Sequence, residues 1–198
     1  MNYNFKKILN DLTVDQLVQH ALENKEAELA SNGALNALTG KYTGRSPGAR
    51  FIVQDKMTET SVNWGKINQP LAHDTFLVLW RAALDYLQDK SVYIGHYAVG
   101  SDCKYQIPVE VITEYAWHNL FAHNLFIPKI DNKTVPGFKI LSVPGFSDFK
   151  KYNLNYEACI ILNFTERKIL ICGTAYAGEI KKAMFTVLNF VLPNHDVL

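Results

Sequence analysis

No stretch of the sequence approaches the run of about 18 apolar residues that a helix needs to cross a bilayer. Met1 to Asp11 carries lysines but neither an apolar core nor a small-residue cleavage site, so no secretory leader is expected there. Cysteine is scarce. Cys103, Cys159 and Cys172 are odd in number and lack CxxC spacing, which argues against both a disulfide framework and a zinc knuckle. Cys159 and Cys172 sit in apolar runs, where a thiol behaves as a small hydrophobe. A cytoplasmic, reducing compartment is the expectation. An excess of either charge is also missing: 20 basic against 19 acidic residues leave a net charge of +1. Such a chain has no global field to draw nucleic acid or anionic lipid, so neither partner is expected and any preference for anions must be local. No linker, internal repeat or low-complexity segment divides the chain.

What remains is a composition that folds. With 198 residues, 48% of them hydrophobic and 20% charged, the chain can bury one sizeable core, and a single domain over residues 1–198 is expected. Thr13-Val14-Asp15-Gln16 has capping-box spacing, and the helical stripe behind it runs until Ser31-Asn32-Gly33. His73 to Leu87 carries Phe76, Leu79, Trp80 and Ala83 on a helical face, Tyr115 to His123 also looks helical, and Glu179 to Leu192 has a clean apolar stripe stopped by Pro193. Arg50 to Val53, Ser91 to Gly95, Val109 to Ile112 and Phe138 to Val143 have strand length and composition, while Trp64 to Pro70 reads as irregular. Ala158 to Phe164 and Lys168 to Gly173 are continuous apolar runs split by Thr165-Glu166-Arg167, the pattern of paired strands buried on both faces. The class is α/β: one mixed β-sheet flanked by helices.

Two segments could carry chemistry. In Thr39-Gly40-Lys41-Tyr42-Thr43-Gly44-Arg45-Ser46-Pro47, two glycines allow close backbone approach, and Arg45 offers a planar fork suited to carboxylate or phosphate. It is not a Walker A loop, because Tyr42 stands where a Ser or Thr should bind magnesium and Gly33 is too far upstream. A surface turn with solvated Arg45 and Lys41 is the plain alternative. In Gly173-Thr174-Ala175-Tyr176-Ala177-Gly178-Glu179-Ile180-Lys181-Lys182, a strand end passes through glycines into a helix, where α/β proteins place ligands. Two lysines in the first turn of a helix oppose its dipole, and an anionic ligand would turn that penalty into binding; solvated lysines beside Glu179 are the alternative. His118 and His123 do not fit HExxH and read as structural. Glu110, Glu114 and Asp148 read as surface or strand-edge groups, without a partner that would assign acid and base roles.

Five segments in order resemble the ATP-dependent phosphoenolpyruvate carboxykinases: the TGKYTGRSP loop, Trp64-Gly65-Lys66-Ile67-Asn68-Gln69-Pro70, Ile112-Thr113-Glu114-Tyr115-Ala116-Trp117-His118 with Leu120-Phe121, Asn163-Phe164-Thr165-Glu166-Arg167, and the GTAYAGEIKK segment. The similarity spans about Leu38 to Pro193; the first 37 residues match weakly, and Ile180 stands where methionine is more usual. It implies the N-terminal, substrate-binding domain of a gluconeogenic lyase. That enzyme converts oxaloacetate and ATP to phosphoenolpyruvate, CO2 and ADP, with Mn2+ at the site and Mg2+ on the nucleotide. Carried over by position, Arg45 holds the substrate carboxylate and departing CO2, and Tyr176 hydrogen-bonds the same region. Lys181 stabilises the enolate oxygen and the transferring phosphoryl group, Lys182 is the implied cofactor contact as a neutral amine on Mn2+, and Gly178 lets the backbone approach the substrate.

The family's phosphate-binding loop, its metal-binding histidine and aspartate, and its second substrate arginine have no counterpart before Leu198. The expectation is that the nucleotide-binding C-terminal domain is missing and that the isolated chain is inactive. The rival reading is a non-catalytic module that binds a small dicarboxylate or phosphorylated acid through Arg45, Lys181 and Lys182. A scaffold without a ligand is the third.

Overall fold

The structure, a computed structural model, describes residues 4–128, 137–147, 149–152 and 154–192. Its strands are β1 (Lys7–Asn10), β2 (Ala27–Leu29), β3 (Leu35–Ala37), β4 (Arg50–Val53), β5 (Gln69–Leu71), β6 (Ser91–Val99), β7 (Ile107–Thr113), β8 (Ile127–Pro128), β9 (Phe138–Val143), β10 (Cys159–Asn163) and β11 (Lys168–Cys172). The helices are α1 (Val14–Glu23), α2 (His73–Tyr86), α3 (Ala116–Leu125) and α4 (Gly178–Val191). The expected class holds: a nine-stranded mixed sheet runs β1-β6-β7-β9-β11-β10-β4-β5 with β8 beside β6, and β2-β3 forms a small hairpin. No helix among the described residues is long and apolar enough to cross a membrane.

Both faces of the sheet are covered, which is why β10 and β11 are apolar at nearly every position. On one face Ile180, Ala183, Met184 and Val187 of α4 and Ala122 of α3 pack on Val111, Ile140, Ile160 and Ile171. On the other, Phe76, Leu79, Trp80 and Ala83 of α2 pack on Phe51, Leu141, Ile161 and Leu170. Helix α1 lies outside α3, with Leu17 and Ala21 against Ala116 and Leu120. Cys159 and Cys172 are buried in the second core, as expected of apolar-run thiols, and burial pushes the Cys159 thiol up to about 12.

Two expectations are corrected. The first helix does not reach Ser31: it ends at Asn24, Lys25 turns left-handed at φ 58, and Ala27–Leu29 pairs with Leu35–Ala37 instead. The capping box itself is present, with Gln16 N–H bonding Thr13 Oγ1 and Thr13 N–H bonding Gln16 Oε1. Glu110 and Glu114 are not surface groups. Glu110 lies on central β7 and is buried, and Glu114 accepts bonds from the Gly145 N–H at 2.8 Å and the Tyr86 hydroxyl at 3.1 Å. Asp148 and Pro193 lie outside the described residues.

Glu110 belongs to a charged cluster that ties the edge strand β1 into the sheet. His96 on β6 bonds Asp11 Oδ2 through Nδ1 at 2.9 Å and faces Glu110 Oε2 through Nε2 at 3.6 Å, while Lys139 on β9 meets Glu110 Oε1 at 2.5 Å. Burial raises the Glu110 carboxyl, but His96 and Lys139 outweigh it and leave it at about 2; the bond to Glu110, with Asp11, raises His96 above 6.5 against its burial. The Glu110 contribution is therefore present above 4.5 and fades as pH falls toward 2. The His96 contribution is complete below 6.5 and fades as pH rises through its elevated folded value. The melting-temperature difference between wild type and His96→Asn is expected to be largest between pH 4.5 and 6.5 and to shrink in alkaline buffer. A difference that does not change with pH would contradict this assignment.

Candidate functional site

Strand direction brings the two suspected loops together. Strand β4 is parallel to β10 and β11 is antiparallel to it, so β4 enters the sheet at the end where β11 leaves. The residues before Arg50 and those after Cys172 therefore meet at one sheet end, two strands apart in the order β11-β10-β4. The same end receives the C-termini of β7 and β9. The TExAWHxLF segment arrives there with its helix, α3.

The TGKYTGRSP loop is pinned on both sides. Lys41 pairs with Glu157, and the Tyr42 hydroxyl donates to Glu157 Oε2 at 3.0 Å, both at the entrance to β10. At the other side the Ser46 N–H donates to Glu179 Oε1 at 2.8 Å, which ties the loop to the start of α4. Glu179 was readable only as a neighbour of the lysines. It is in fact buried between the two segments, and burial raises its carboxyl while the Ser46 N–H, Arg50, Arg45 and Lys182 act in the opposite sense. Arg50 adds a second tie: its guanidinium bonds Thr186 Oγ1, which donates to the Lys182 carbonyl oxygen at 2.9 Å. The WGxxNxP segment props the loop from below, where Gln69 Nε2 donates to the Gly48 carbonyl at 2.7 Å.

The second segment is built from a left-handed turn at Gly173, φ 71, followed by Thr174, whose Oγ1 accepts the Tyr176 N–H at 3.1 Å. His118, buried on α3, holds the middle of this turn. Its Nε2 lies 2.9 Å from the Ala175 carbonyl, which can only accept, so Nε2 carries the proton and Nδ1 accepts from Ser142 Oγ at 3.1 Å. Burial lowers the imidazole to about 4, so it stays neutral at physiological pH. The structural reading of His118 thus holds, with a bearing on the site that its sequence neighbours did not reveal. The fourth resembling segment goes elsewhere: Asn163 to Arg167 lies at the far end of β10, where Glu166 pairs with Lys168 and with His73.

Arg45 and Lys181 are exposed, and Tyr176, Gly178 and Lys182 are half-buried. Helix α4 begins at Gly178, so Lys181 and Lys182 are its fourth and fifth residues, past the first turn, which Glu179 occupies. The expected clash with the helix dipole is therefore weaker than a first-turn placement would give. Arg45 and Lys182 both neighbour Glu179. Next to them, a cleft of about 610 Å³ is lined by Gly40, Lys41, Tyr42, Glu157, Gly173 and Ala175 among others; Arg45, Lys181 and Lys182 are not part of its lining. An arrangement of three cations, a phenol and free backbone on one sheet end can hold a small polyanion.

Gly178 has a concrete role in this geometry. A Cβ there would lie 2.5 Å from Tyr176 Cε1 and 2.8 Å from its hydroxyl oxygen, so the bare Cα leaves room for the Tyr176 ring across the helix start. Gly178→Ala is expected to keep the fold, since alanine favours helix by up to about 1 kcal/mol over glycine, while displacing Tyr176. The displaced ring is expected to show as shifted Tyr176 resonances with a melting temperature close to wild type; unshifted resonances would mean that the helix start, not the ring, gives way.

The sequence matches the phosphoenolpyruvate carboxykinase family over residues 6–198. Similar curated proteins are the phosphoenolpyruvate carboxykinases (ATP) of Bacillus cytotoxicus, 44% identical over 193 residues, and of Oceanobacillus iheyensis, 43% identical over 196. These matches cover 94% and 96% of this chain, but only 36% and 37% of the relatives. The chain thus spans a little over a third of the length of the proteins it resembles.

Proposed function

Because the chain belongs to the phosphoenolpyruvate carboxykinase family, we propose that its residues form the substrate-holding wall of an ATP-dependent, cytoplasmic, gluconeogenic carboxykinase. The observation that carries the proposal is the meeting of two segments 133 residues apart, joined by the Ser46–Glu179 hydrogen bond, which gathers Arg45 with Lys182 at one sheet end. In the proposed reaction the C–C bond to the departing carboxylate of oxaloacetate breaks and releases CO2, its electron pair forms the C=C of an enolate as the carbonyl π pair moves onto oxygen, and that oxygen takes the γ-phosphoryl group of ATP with ADP as the leaving group. Arg45 grips the carboxylate and the CO2 it becomes, with Tyr176 donating a hydrogen bond in the same region. Lys181 meets the negative charge that develops on the enolate oxygen and on the transferring phosphoryl group, where a fixed cation is most effective.

The nucleotide side of this chemistry is proposed to lie outside these residues. No GxxxxGK[ST] loop occurs in the 198 residues, and the isolated chain is accordingly proposed to be inactive. A divalent metal fits these residues only in part. Lys182 would offer one amine, to Mn2+, with Mg2+ travelling with the nucleotide, yet among the described residues no group of three or more His, Cys, Asp or Glu side chains could hold an ion. No step above is therefore routed through a metal.

The proposal is tested by titrating the chain with phosphoenolpyruvate, oxaloacetate and pyruvate while following backbone amide resonances. The expected result is saturable shifts confined to residues 40–46 and 173–182, with pyruvate the weakest ligand because it carries one carboxylate and no second anionic group. Shifts centred elsewhere, or equal binding of pyruvate, would sink it.

A further inference from the structure

Arg45, Arg50 and Lys182 all act on Glu179, and Arg45 also acts on Arg50, so positive charge gathers at one sheet end, where like charges repel before any anion arrives. One acidic side chain stands among them. Glu179 is only 5% exposed, sits on the first turn of α4, and accepts the Ser46 N–H through Oε1 at 2.8 Å. The amide it holds is the peptide that links Arg45 to Ser46. The other ties, from Lys41 and Tyr42 to Glu157, from Gln69 to Gly48 and from Arg50 to Thr186, hold the flanks of the loop, and at Ser46 itself the Oγ is buried without a hydrogen-bond partner among the described residues. A loop bearing Gly40, Gly44 and Gly48 has backbone freedom to lose, whereas Glu179 rides on a helix packed into the core by Ile180 and Ala183.

We propose that Glu179 is the positioning residue of the substrate wall: by holding the Arg45–Ser46 peptide against α4, it keeps the Arg45 guanidinium in register with Lys181 and Lys182. This rests on the substrate-wall reading above. The anion then meets cations whose arrangement was fixed during folding, and does not have to organise a mobile loop on arrival. The function asked of Glu179 is that of a hydrogen-bond acceptor at a set reach. Glu179→Gln would keep that oxygen while losing the charge; Glu179→Ala would keep neither.

The experiment is a phosphoenolpyruvate titration of the 198-residue chain, followed by amide resonances, with hydrogen exchange of the Ser46 amide and a melting curve for every variant. Glu179→Ala is expected to weaken binding about tenfold and to speed Ser46 exchange, whereas Glu179→Gln stays within about threefold of wild type with the amide still protected. In a chain already carrying Arg45→Ala, Glu179→Ala should cost nothing further, because the group it positions is gone. Should Glu179→Ala fail to fold, Glu179→Asp replaces it, its carboxylate one methylene short of the Ser46 amide. If Arg45→Ala weakens binding while Glu179→Ala does not, the positioning role is overturned and the substrate wall stands. If neither substitution matters, both fall. Equal losses for Glu179→Gln and Glu179→Ala would also overturn positioning, since charge alone would then be at work.

Discussion

In the substrate-holding role proposed for Arg45, Arg45→Ala is expected to lower kcat/KM for oxaloacetate by about 10² to 10³ in a protein where this chain is joined to a nucleotide-binding portion, the usual loss when one preorganised charged donor is removed from a reacting site. The reason is geometric as much as electrostatic. A guanidinium presents two parallel N–H groups to a carboxylate, and that match survives the change from substrate carboxylate toward departing CO2 only if the fork is held still. Ser46 and Lys41, on either side of Arg45, are each tied to a separate part of the fold, through Glu179 and Glu157. Arg45→Lys should therefore rescue little, because a point charge on a flexible stem cannot reproduce the fork. Steady-state kinetics decide: a loss under about tenfold for Arg45→Ala, or recovery to near wild type with lysine, would show that the loop supplies only diffuse charge.

Gly173→Ala is expected to be the most damaging small substitution for stability. Gly173 has φ 71, and a Cβ added there would lie 2.1 Å from the Glu157 carbonyl oxygen and 3.1 Å from Ala158 Cα, both backbone atoms of the strand entrance opposite. Neither can swing aside as the Tyr176 ring can for Gly178. Left-handed strain and the backbone clash together cost on the order of 3 kcal/mol, equivalent to a fall of roughly 6–12 °C in melting temperature for a domain of this size. Glu157 is also the residue that receives Lys41 and Tyr42, so the damage should spread to the Arg45 loop and weaken the proposed phosphoenolpyruvate binding in the folded fraction. Differential scanning calorimetry reads the first effect. A melting temperature within about 2 °C of wild type would mean that the turn relaxes at less than about 1 kcal/mol.

The parts of this fold that could be read from the sequence are those whose signal is local. The stripes of α2 and α4, the capping box at Thr13, and the two apolar runs that became β10 and β11 needed no knowledge of what they pack against. The end of α1 was missed because the apolar spacing continues past Glu23; what stops the helix is the left-handed turn at Lys25 and the pairing of Ala27–Leu29 with Leu35–Ala37. Strands β1, β5 and β8 were missed for a related reason. Lys-Ile-Leu-Asn, Gln-Pro-Leu and Ile-Pro have little strand propensity of their own and are strands because a neighbour offers its edge.

The site divides in the same way. Arg45, Tyr176, Lys181 and Lys182 drew attention through residue type and glycine context. Glu179 and His118 did not, because their importance lies in bonds to Ser46 and Ala175 across the fold, and nothing in their immediate sequence announces those partners. Of the five segments behind the family resemblance, four converge on one sheet end or brace it, while Asn163 to Arg167 secures the opposite end. Shared order along the chain therefore does not mean shared place in the site.

If the Arg45 loop and the start of α4 form one anion site, a crystal structure of the chain with phosphoenolpyruvate shows it most directly. The expected result is a single bound molecule whose carboxylate is held by the Arg45 guanidinium and whose phosphate lies within hydrogen-bonding reach of Lys181 or Lys182, with the Ser46–Glu179 bond intact. A ligand bound elsewhere, or one touched by the lysines while Arg45 points away into solvent, would contradict it.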